Sequence, residues 1–295
     1  MAATAPYKPP RLSDGHPDLQ GDWTNSSITT LERPQEFGER RALTADEAAD
    51  MEAEFNWIST PKGPNDQGVY SLADVGALDA LTSVMRVAGE PRSSFITSPA
   101  NGRIPPARPD AAPKPATLTD EVMYANPETM PPPQKCLSTA TPNSGPVMLP
   151  GGYNNNFRFV QTREALAIAI QMAGDVRIIR VGARHRTDGV RPWMGDSIAH
   201  WDKDSLVVET TNFPQAQAFY GAWEHLKVTE TFTRVAADRL LYRFSVEDPT
   251  VWDQPWGGEY EFSPSKGPIE EYACHENDYT LELELDAARY GAKAP

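Results

Sequence analysis

The chain has 295 residues, of which 39% are hydrophobic, and it carries a net charge of −14 at pH 7. That acidity disfavours binding to nucleic acid or to an anionic membrane surface, because both need Lys and Arg to neutralise phosphates. The sequence contains no run of about 18 apolar residues, the length that a membrane-spanning helix needs.

The first ten residues, "MAATAPYKPP", lack the apolar core of a secretory signal peptide. The sequence as written predicts a cytoplasmic protein, or a periplasmic or secreted one if Met1 marks the point where a leader was removed. Cys136 and Cys274 bear on the same question. In a cytoplasmic chain we expect two buried free thiols, whereas the alternative, one long-range disulfide, would imply an oxidising compartment.

Proline divides the chain into two regions, because 21 of the 28 prolines fall within residues 1–150. Proline removes a backbone donor and fixes φ, so this region is predicted to form extended and turning segments over a core built elsewhere. A first barrel strand is predicted near 19–26. One helix is predicted at about 43–58, where Thr44 and Glu47 form a T-x-x-E capping box.

Residues 151–295 are predicted to be a β region, because short β-branched and aromatic segments alternate apolar and polar positions between tight turn signals. The predicted strands are "FRFVQ", "ALAIAIQM", "VRIIRV", "SLVVETTNF", "LKVTETFTRV", "RLLYRFSV", "GEYEFS" and "IEEYACHE". About eight such strands predict a mainly β fold, an antiparallel meander that closes into a barrel. The proline-rich, partly helical first region is expected to wrap around it.

Gly21-Asp22-Trp23 is similar to the Gly-x-Trp motif that opens the lipocalin barrel, where the tryptophan plugs the closed end. Longer phrases, spread over nearly the whole chain, resemble a large group of bacterial hypothetical proteins. These phrases are "DGHPDLQGDWTN", "NGRIPP", "GGYNNNFRFVQT", "WMGDSIAHWDKDSLVVETTNF", "FTRVAADRLLYRFSVEDPTVW" and "EYACHENDY". The resemblance implies fold-level context, a lipocalin-like barrel, and no catalytic residues. Many members of the group carry export signals, from which this sequence departs.

Glu230 is the first candidate catalytic residue. Alternation in "LKVTETFTRV" places it in the apolar row with Val228 and Phe232. An unpaired carboxylate is costly to bury, and such burial is one way in which a general acid or base is tuned towards neutral pH. The alternative is an ion pair inside the barrel, for which Arg180 and Arg243 are the candidate partners.

Three of the five histidines are candidate proton-transfer groups, because imidazole exchanges protons near neutral pH. His200 precedes a hairpin turn beside Trp201, His275 ends the last predicted strand, and His225 begins the strand that carries Glu230. Each could instead be a structural residue at a strand end. Zinc and iron sites usually contain a local pair such as H-x-H; no such pair occurs, and no metal is expected.

Asn154 to Asn156 precede the first strand of the β region. They could end a loop, as Asn often does, or Asn155 could direct its amide into the barrel mouth as a donor to substrate. Tyr153 and Phe157 share the parity of Asn155 and would add an aromatic row, which is common in small-molecule sites and in ordinary barrel cores. The residues predicted to bind substrate are Asn155, Tyr153, Phe157, Trp201 and Arg180.

The sequence contains no Rossmann fingerprint, phosphate loop or G-x-S-x-G elbow, so we expect no cofactor and no nucleophilic serine. The function predicted first is a cofactor-independent lyase or isomerase acting on a small aromatic or hydroxylated molecule by elimination, dehydration or retro-aldol cleavage. Glu230, His200 or His275 would take the proton. The phenol of Tyr242 or the amide of Asn155 would stabilise the oxyanion.

The alternative function is a lipocalin-like carrier that binds a hydrophobic small molecule without turnover. Either function makes a small molecule the expected partner. The proline-rich region could also mediate contacts between copies of the chain.

Overall fold

Nine strands close into a β-barrel, which confirms the mainly β fold predicted from the sequence. The computed structural model describes residues 7–59, 83–111, 119–130, 135–137, 145–151, 155–276 and 279–291. The strands are β1 (Gly21–Thr24), β2 (Arg86–Val87), β3 (Glu90–Pro91), β4 (Ile96–Ser98), β5 (Asn156–Gln161), β6 (Ala165–Ile170), β7 (Val176–Val181), β8 (Asp196–Asp202), β9 (Ser205–Thr211), β10 (Lys227–Ala236), β11 (Arg239–Glu247) and β12 (Trp256–Pro264). The helices are α1 (Ala45–Ser59), α2 (Asp120–Met123) and α3 (Thr280–Gly291).

The sheet runs in the order β1-β5-β6-β7-β8-β9-β10-β11-β12, and β1 also pairs with β12 to close the barrel. On the side of β12 that faces away from β11, two strands pair with it: β4 pairs with its first residues and β1 pairs with its last residues. Among the described pairs, β7 and β8 depart from the predicted antiparallel meander. They run parallel through Arg180↔Ile198 and Val181↔Ala199, after the connection 182–195.

The first half of the chain supplies parts of the barrel itself. β1 and β4 are strands of the sheet. Residues 145–151, here called the plug, pack against the barrel core, since Val147, Met148 and Leu149 are buried and Met148 bonds to the phenols of Tyr242 and Tyr260. α1 begins at the predicted capping box, because the backbone N–H of Thr44 donates to the Glu47 carboxylate and the Glu47 N–H donates to the Thr44 hydroxyl. Within the described part of the chain, no helix has both the length and the apolar character to cross a bilayer.

The C-terminal elements differ from the prediction. "IEEYACHE", residues 269–276, forms no strand, so this prediction is wrong. The chain then forms α3, whose "TLELEL" start alternates like a strand although leucine and glutamate are good helix formers. β8, "DSIAHWD", is a strand that is absent from the predicted set.

Aromatic side chains fill much of the barrel interior. A barrel of about eight strands is just wide enough for its inward side chains to fill it. The rings of Phe159 and Phe262 lie 5.8 Å apart, and those of Tyr242 and Tyr260 lie 4.8 Å apart. Trp23 is buried, and the Arg234 guanidinium lies 5.5 Å from the centre of its ring. This interior is a packed core, which is one of the two alternatives that the aromatic row in the sequence left open.

A disulfide joins Cys136 to Cys274, which are 138 residues apart in sequence and have their Cα atoms 5.7 Å apart. The expectation of two free thiols is therefore wrong. The sequence does not reveal which distant segments meet, and this pairing requires the segment after β12 to lie beside the segment that contains Cys136.

Candidate functional site

The carboxylate of Glu230 is fully buried on the inner face of β10, between Val228 and Phe232, as the alternation predicts. Arg177 of β7 holds it with two hydrogen bonds: Nη1 donates to Oε1 at 2.9 Å, and Nη2 donates to Oε2. The phenol of Tyr242 on β11 donates to Oε1 at 2.9 Å. Three donors from two other strands therefore satisfy this carboxylate.

Arg177 is itself fixed by two hydroxyl groups. Its Nε donates to Ser197 Oγ at 3.2 Å and its Nη2 donates to Thr210 Oγ1 at 2.9 Å, and the two hydroxyls lie 2.9 Å from each other. These side chains come from β7, β8, β9 and β10, so the ion pair ties four neighbouring strands together. A buried ion pair needs this kind of extra hydrogen bonding to offset the cost of desolvating both charges.

The sequence suggested Arg180 and Arg243 as partners for Glu230, and both suggestions are wrong. Arg180 donates to Asp196 at 2.7 Å, and Arg243 donates to Glu259 at 3.0 Å; both arginines face away from the interior. In β7 the side chains that point into the barrel are those of Arg177, which is 2% exposed, and Ile179. The sequence "VRIIRV" does not show which side chains point inward, because its two adjacent isoleucines face opposite sides of the sheet and one of them is inside in either case.

The phenol of Tyr242 connects the ion pair to the plug at residues 145–151, and the phenol of Tyr260 binds the same plug residue, Met148. The backbone N–H of Met148 donates to the Tyr242 oxygen at 3.1 Å, and the hydroxyl of Tyr260 donates to the Met148 carbonyl. Burial, and then the negative charge of Glu230, raise the pKa of Tyr242 well above its ordinary value. Burial is also the main cause that raises the pKa of Tyr260. Both phenols are therefore neutral and act as hydrogen-bond donors.

The candidate histidines do not join Glu230. His200 is exposed on the outside of β8, and His275 is exposed in the turn beside the disulfide. His225 is exposed just before β10. Within the described ranges, no group of three or more His, Cys, Asp or Glu residues is placed to hold a metal ion.

The predicted substrate-binding residues are also distributed over different places. Asn155 is buried and closes its own loop: its Oδ1 accepts from the Gly151 N–H at 2.7 Å and its Nδ2 donates to the Gly151 carbonyl at 3.1 Å. Phe157 is in the barrel core. Trp201 is half-buried at the end of β8 and stacks on His16 with ring centres 4.6 Å apart. Tyr153 lies outside the described residues.

A second polar cluster surrounds His185, whose two ring nitrogens lie 3.0 Å from Asp196 and 3.1 Å from Glu209. Burial raises the pKa of Asp196, but hydrogen bonds from the Arg186 N–H and the His185 ring, together with the charge and hydrogen bond of Arg180, bring that pKa below its ordinary value of 3.8. The cluster fixes the loop 182–195 to β8 and β9.

A cleft of about 200 Å³, here called the first cleft, lies between the loop before β8, the loop after β9 and the start of the plug. Among the described residues that line it, none carries a charge. Most of its wall is apolar or aromatic, and the larger side chains are Trp193, Met194, Phe213, Phe219 and Tyr220. Gln217 contributes an amide whose Nε2 is buried and has no hydrogen-bond partner among the described residues.

The second cleft, of about 460 Å³, lies at the ends of β9, β10 and β11. Unlike the first cleft, it is lined by ionisable side chains, namely His225, Lys227, Glu247 and Asp248, together with Trp252. Lys227 pairs with Glu247, so two of these charges partly neutralise each other. Neither cleft is lined by Glu230 or Tyr242.

Alternation in the sequence does not point to the first cleft, because most of its lining residues lie on the loops 182–195 and 212–226, which have no periodicity. One signal was available. The connection "NFPQAQAFYGAWEHL" is longer than most loops in compact domains and is rich in aromatic residues, and long loops of this kind are often functional. Comparisons with family models, with curated proteins and with solved structures find no match for the chain.

Proposed function

We propose that the protein binds a small apolar molecule in the first cleft and carries it without converting it. The observation that supports this function is the wall of the cleft, which combines aromatic and aliphatic side chains with few polar groups, as small-molecule sites do. A volume of about 200 Å³ suits a single substituted ring, because a cavity of about 150 Å³ is enough to bind benzene.

The surroundings of the cleft favour a carrier over a catalyst. Of its described lining residues, only Tyr220 can exchange a proton, and burial, with the nearby charge of Glu32, raises the pKa of that phenol. Tyr220 is therefore a neutral donor near pH 7 rather than a base. Glu230, the base predicted from the sequence, is held by Arg177 away from this cleft.

The experiment is ligand-observed NMR with a panel of neutral monocyclic aromatic compounds, followed by mass spectrometry of the same mixtures. Ala218 lines the cleft, so Ala218→Trp should fill it and abolish binding while the melting temperature stays near that of the wild type. Ala237→Trp, in the exposed turn after β10, is the matched control and should bind normally. Unchanged binding in Ala218→Trp, or product formation by the wild type, would contradict the proposal.

A lyase or isomerase is the second candidate function, and we propose the second cleft as its site. The supporting observation is that an exposed imidazole, His225, lies in one cleft with Glu247 and Asp248, which gives a base and carboxylates around one space. Incubation with hydroxylated and aromatic compounds should then yield product that His225→Gln no longer forms. Full turnover in that variant would exclude His225, and full turnover in Glu230→Gln would exclude Glu230.

We also propose that the chain functions in an oxidising compartment, the periplasm or the outside of the cell. Cys136 and Cys274 form a disulfide, and disulfides persist mainly where glutathione and thioredoxin do not reduce them. Protein taken from its native cells into a thiol-alkylating reagent should gain no label before reduction and two labels after it. Two labels before reduction would instead place the chain in a reducing compartment.

A further inference from the structure

We infer that the second cleft binds a small organic cation, a protonated amine on an aromatic or aliphatic group, and that Asp248 is its counter-charge. This inference rests on the proposal that the second cleft is a ligand site, and it concerns binding rather than turnover. Its basis is the carboxylate of Asp248, which lines this cleft although the residue is only 2% exposed. No Lys, Arg or His of the described residues forms an ion pair with it.

The turn after β11 accounts for one oxygen of Asp248. Its Oδ1 accepts from the Thr250 backbone N–H at 2.9 Å and from the Thr250 hydroxyl at 2.6 Å. The backbone carbonyl of Asp248 accepts from the N–H groups of Val251 and Trp252 at 3.0 and 2.9 Å. Asparagine forms the same side-chain turn with its amide oxygen. The turn therefore needs an oxygen at this position but not a negative charge.

The second oxygen of Asp248 is available to a ligand. Among the described residues, Oδ2 has no hydrogen-bond partner, and it is not one of the partnerless side-chain atoms that are closed off from water. This oxygen therefore reaches solvent at a residue that lines the second cleft. A carboxylate that is mostly removed from water and has no counter-charge is unfavourable, so a cation that enters the cleft is stabilised most strongly beside it.

The other charged side chains of the cleft already have partners in the protein. The Lys227 ammonium pairs with Glu247. Asp253 accepts from Arg108 at 2.7 Å. Among the described lining residues, this leaves Asp248 as the carboxylate without a cationic partner. The net charge of −14 also attracts cations and repels anions at longer range.

The rest of the cleft suits the hydrocarbon part of such a ligand. Pro249, Trp252 and Pro255 line it, and its volume of about 460 Å³ is within the range of small-molecule sites. A hydrogen bond from an ammonium group to a carboxylate is charge-assisted and stronger than one between neutral groups. An amine attached to a single ring by a short chain therefore matches both the apolar wall and the carboxylate.

The test compares phenethylamine, phenethyl alcohol and phenylacetate, which have nearly the same shape and carry a positive, no and a negative charge. Ligand-observed NMR at about pH 8, where imidazole groups carry little charge, should show that the wild-type protein binds the amine roughly 10-fold more tightly than the alcohol. Phenylacetate should not compete. In Asp248→Asn, whose amide oxygen can still accept from Thr250, the ratio should fall to about 1. Asp253→Asn, at an exposed position of the same cleft, is the matched control and should keep the wild-type preference.

The melting temperature provides a second measurement. Because the turn needs no charge, the free Asp248→Asn variant should melt at the wild-type temperature or above it. A large drop would mean that the charge already has a partner in the protein, and this would overturn the inference. Equal binding of amine and alcohol by the wild type, a preference retained in Asp248→Asn, or no binding of any probe would also overturn it. Binding of the amine without product from any compound of the turnover assay would instead count against the lyase or isomerase alone.

Discussion

Replacement of Arg177 by Met should strongly destabilise the barrel, because it leaves the Glu230 carboxylate buried without a counter-charge. Both side chains are almost completely buried: Arg177 is 2% exposed and Glu230 is 0% exposed. Methionine is similar in length to the apolar part of arginine, so the substitution removes the charge and five donors while filling much of the same space.

The expected magnitude follows from the burial of the pair. Removal of one partner of a buried ion pair costs about 3–5 kcal/mol in the free energy of unfolding. For a chain of this size, that corresponds to a drop of roughly 6–15 °C in melting temperature. The hydroxyls of Ser197 and Thr210, which lie 2.9 Å apart, can still bond to each other, so they add little to the loss.

The assay is urea unfolding at pH 7, followed by circular dichroism, for the wild type and for matched variants. Arg158→Met is the control, because Arg158 pairs with Asp22 at 2.7 Å but lies half-exposed on the outer surface. Its loss should cost no more than about 1 kcal/mol, as for other surface ion pairs. The double variant Arg177→Met/Glu230→Gln should be more stable than Arg177→Met alone, since it leaves no buried charge.

Two results would refute this reasoning. A cost for Arg177→Met as small as that for Arg158→Met would mean that Glu230 is hydrated or has another counter-charge. A double variant as unstable as the sum of the single variants would mean that the two side chains do not interact. Either result would also return Glu230 to consideration as a catalytic base.

Two further predictions concern packing and pH. A Cβ on Gly258 would overlap the backbone carbonyl of Phe95, just before β4, which pairs with β12. Gly258→Ala should therefore lower the free energy of unfolding by about 1–3 kcal/mol or more in the same urea assay. Gly267→Ala, where a Cβ would lie in open space, is the control and should change it little. The pKa of Asp196 is below its ordinary value of 3.8 in the folded chain, so its carboxylate stabilises the fold fully above that value, and the stabilisation is lost as the pH falls through the lower folded value. Asp196→Asn should therefore be less stable than the wild type at pH 7, and the difference should shrink as the pH is lowered from 5 to 3; a difference independent of pH would contradict this assignment.

The sequence determined the local structure of this protein and the side of each strand on which many residues lie. Period-two alternation follows from strand geometry, so it was enough to place Glu230 and Phe232 inside the barrel. The capping box of Thr44 and Glu47 was likewise readable, because both hydrogen bonds connect residues only three positions apart. These features depend on neighbouring residues and not on how distant segments meet.

Only the tertiary structure decided which side chains meet. Arg177, and not Arg180, reaches Glu230 across 53 residues of sequence, because the parity of β7 is set by its pairing with β6 and not by its own apolar pattern. The first cleft forms where two aperiodic loops converge on the start of the plug. Contacts of this kind join segments that are far apart along the chain, and the spatial order of the strands in the barrel determines which segments meet.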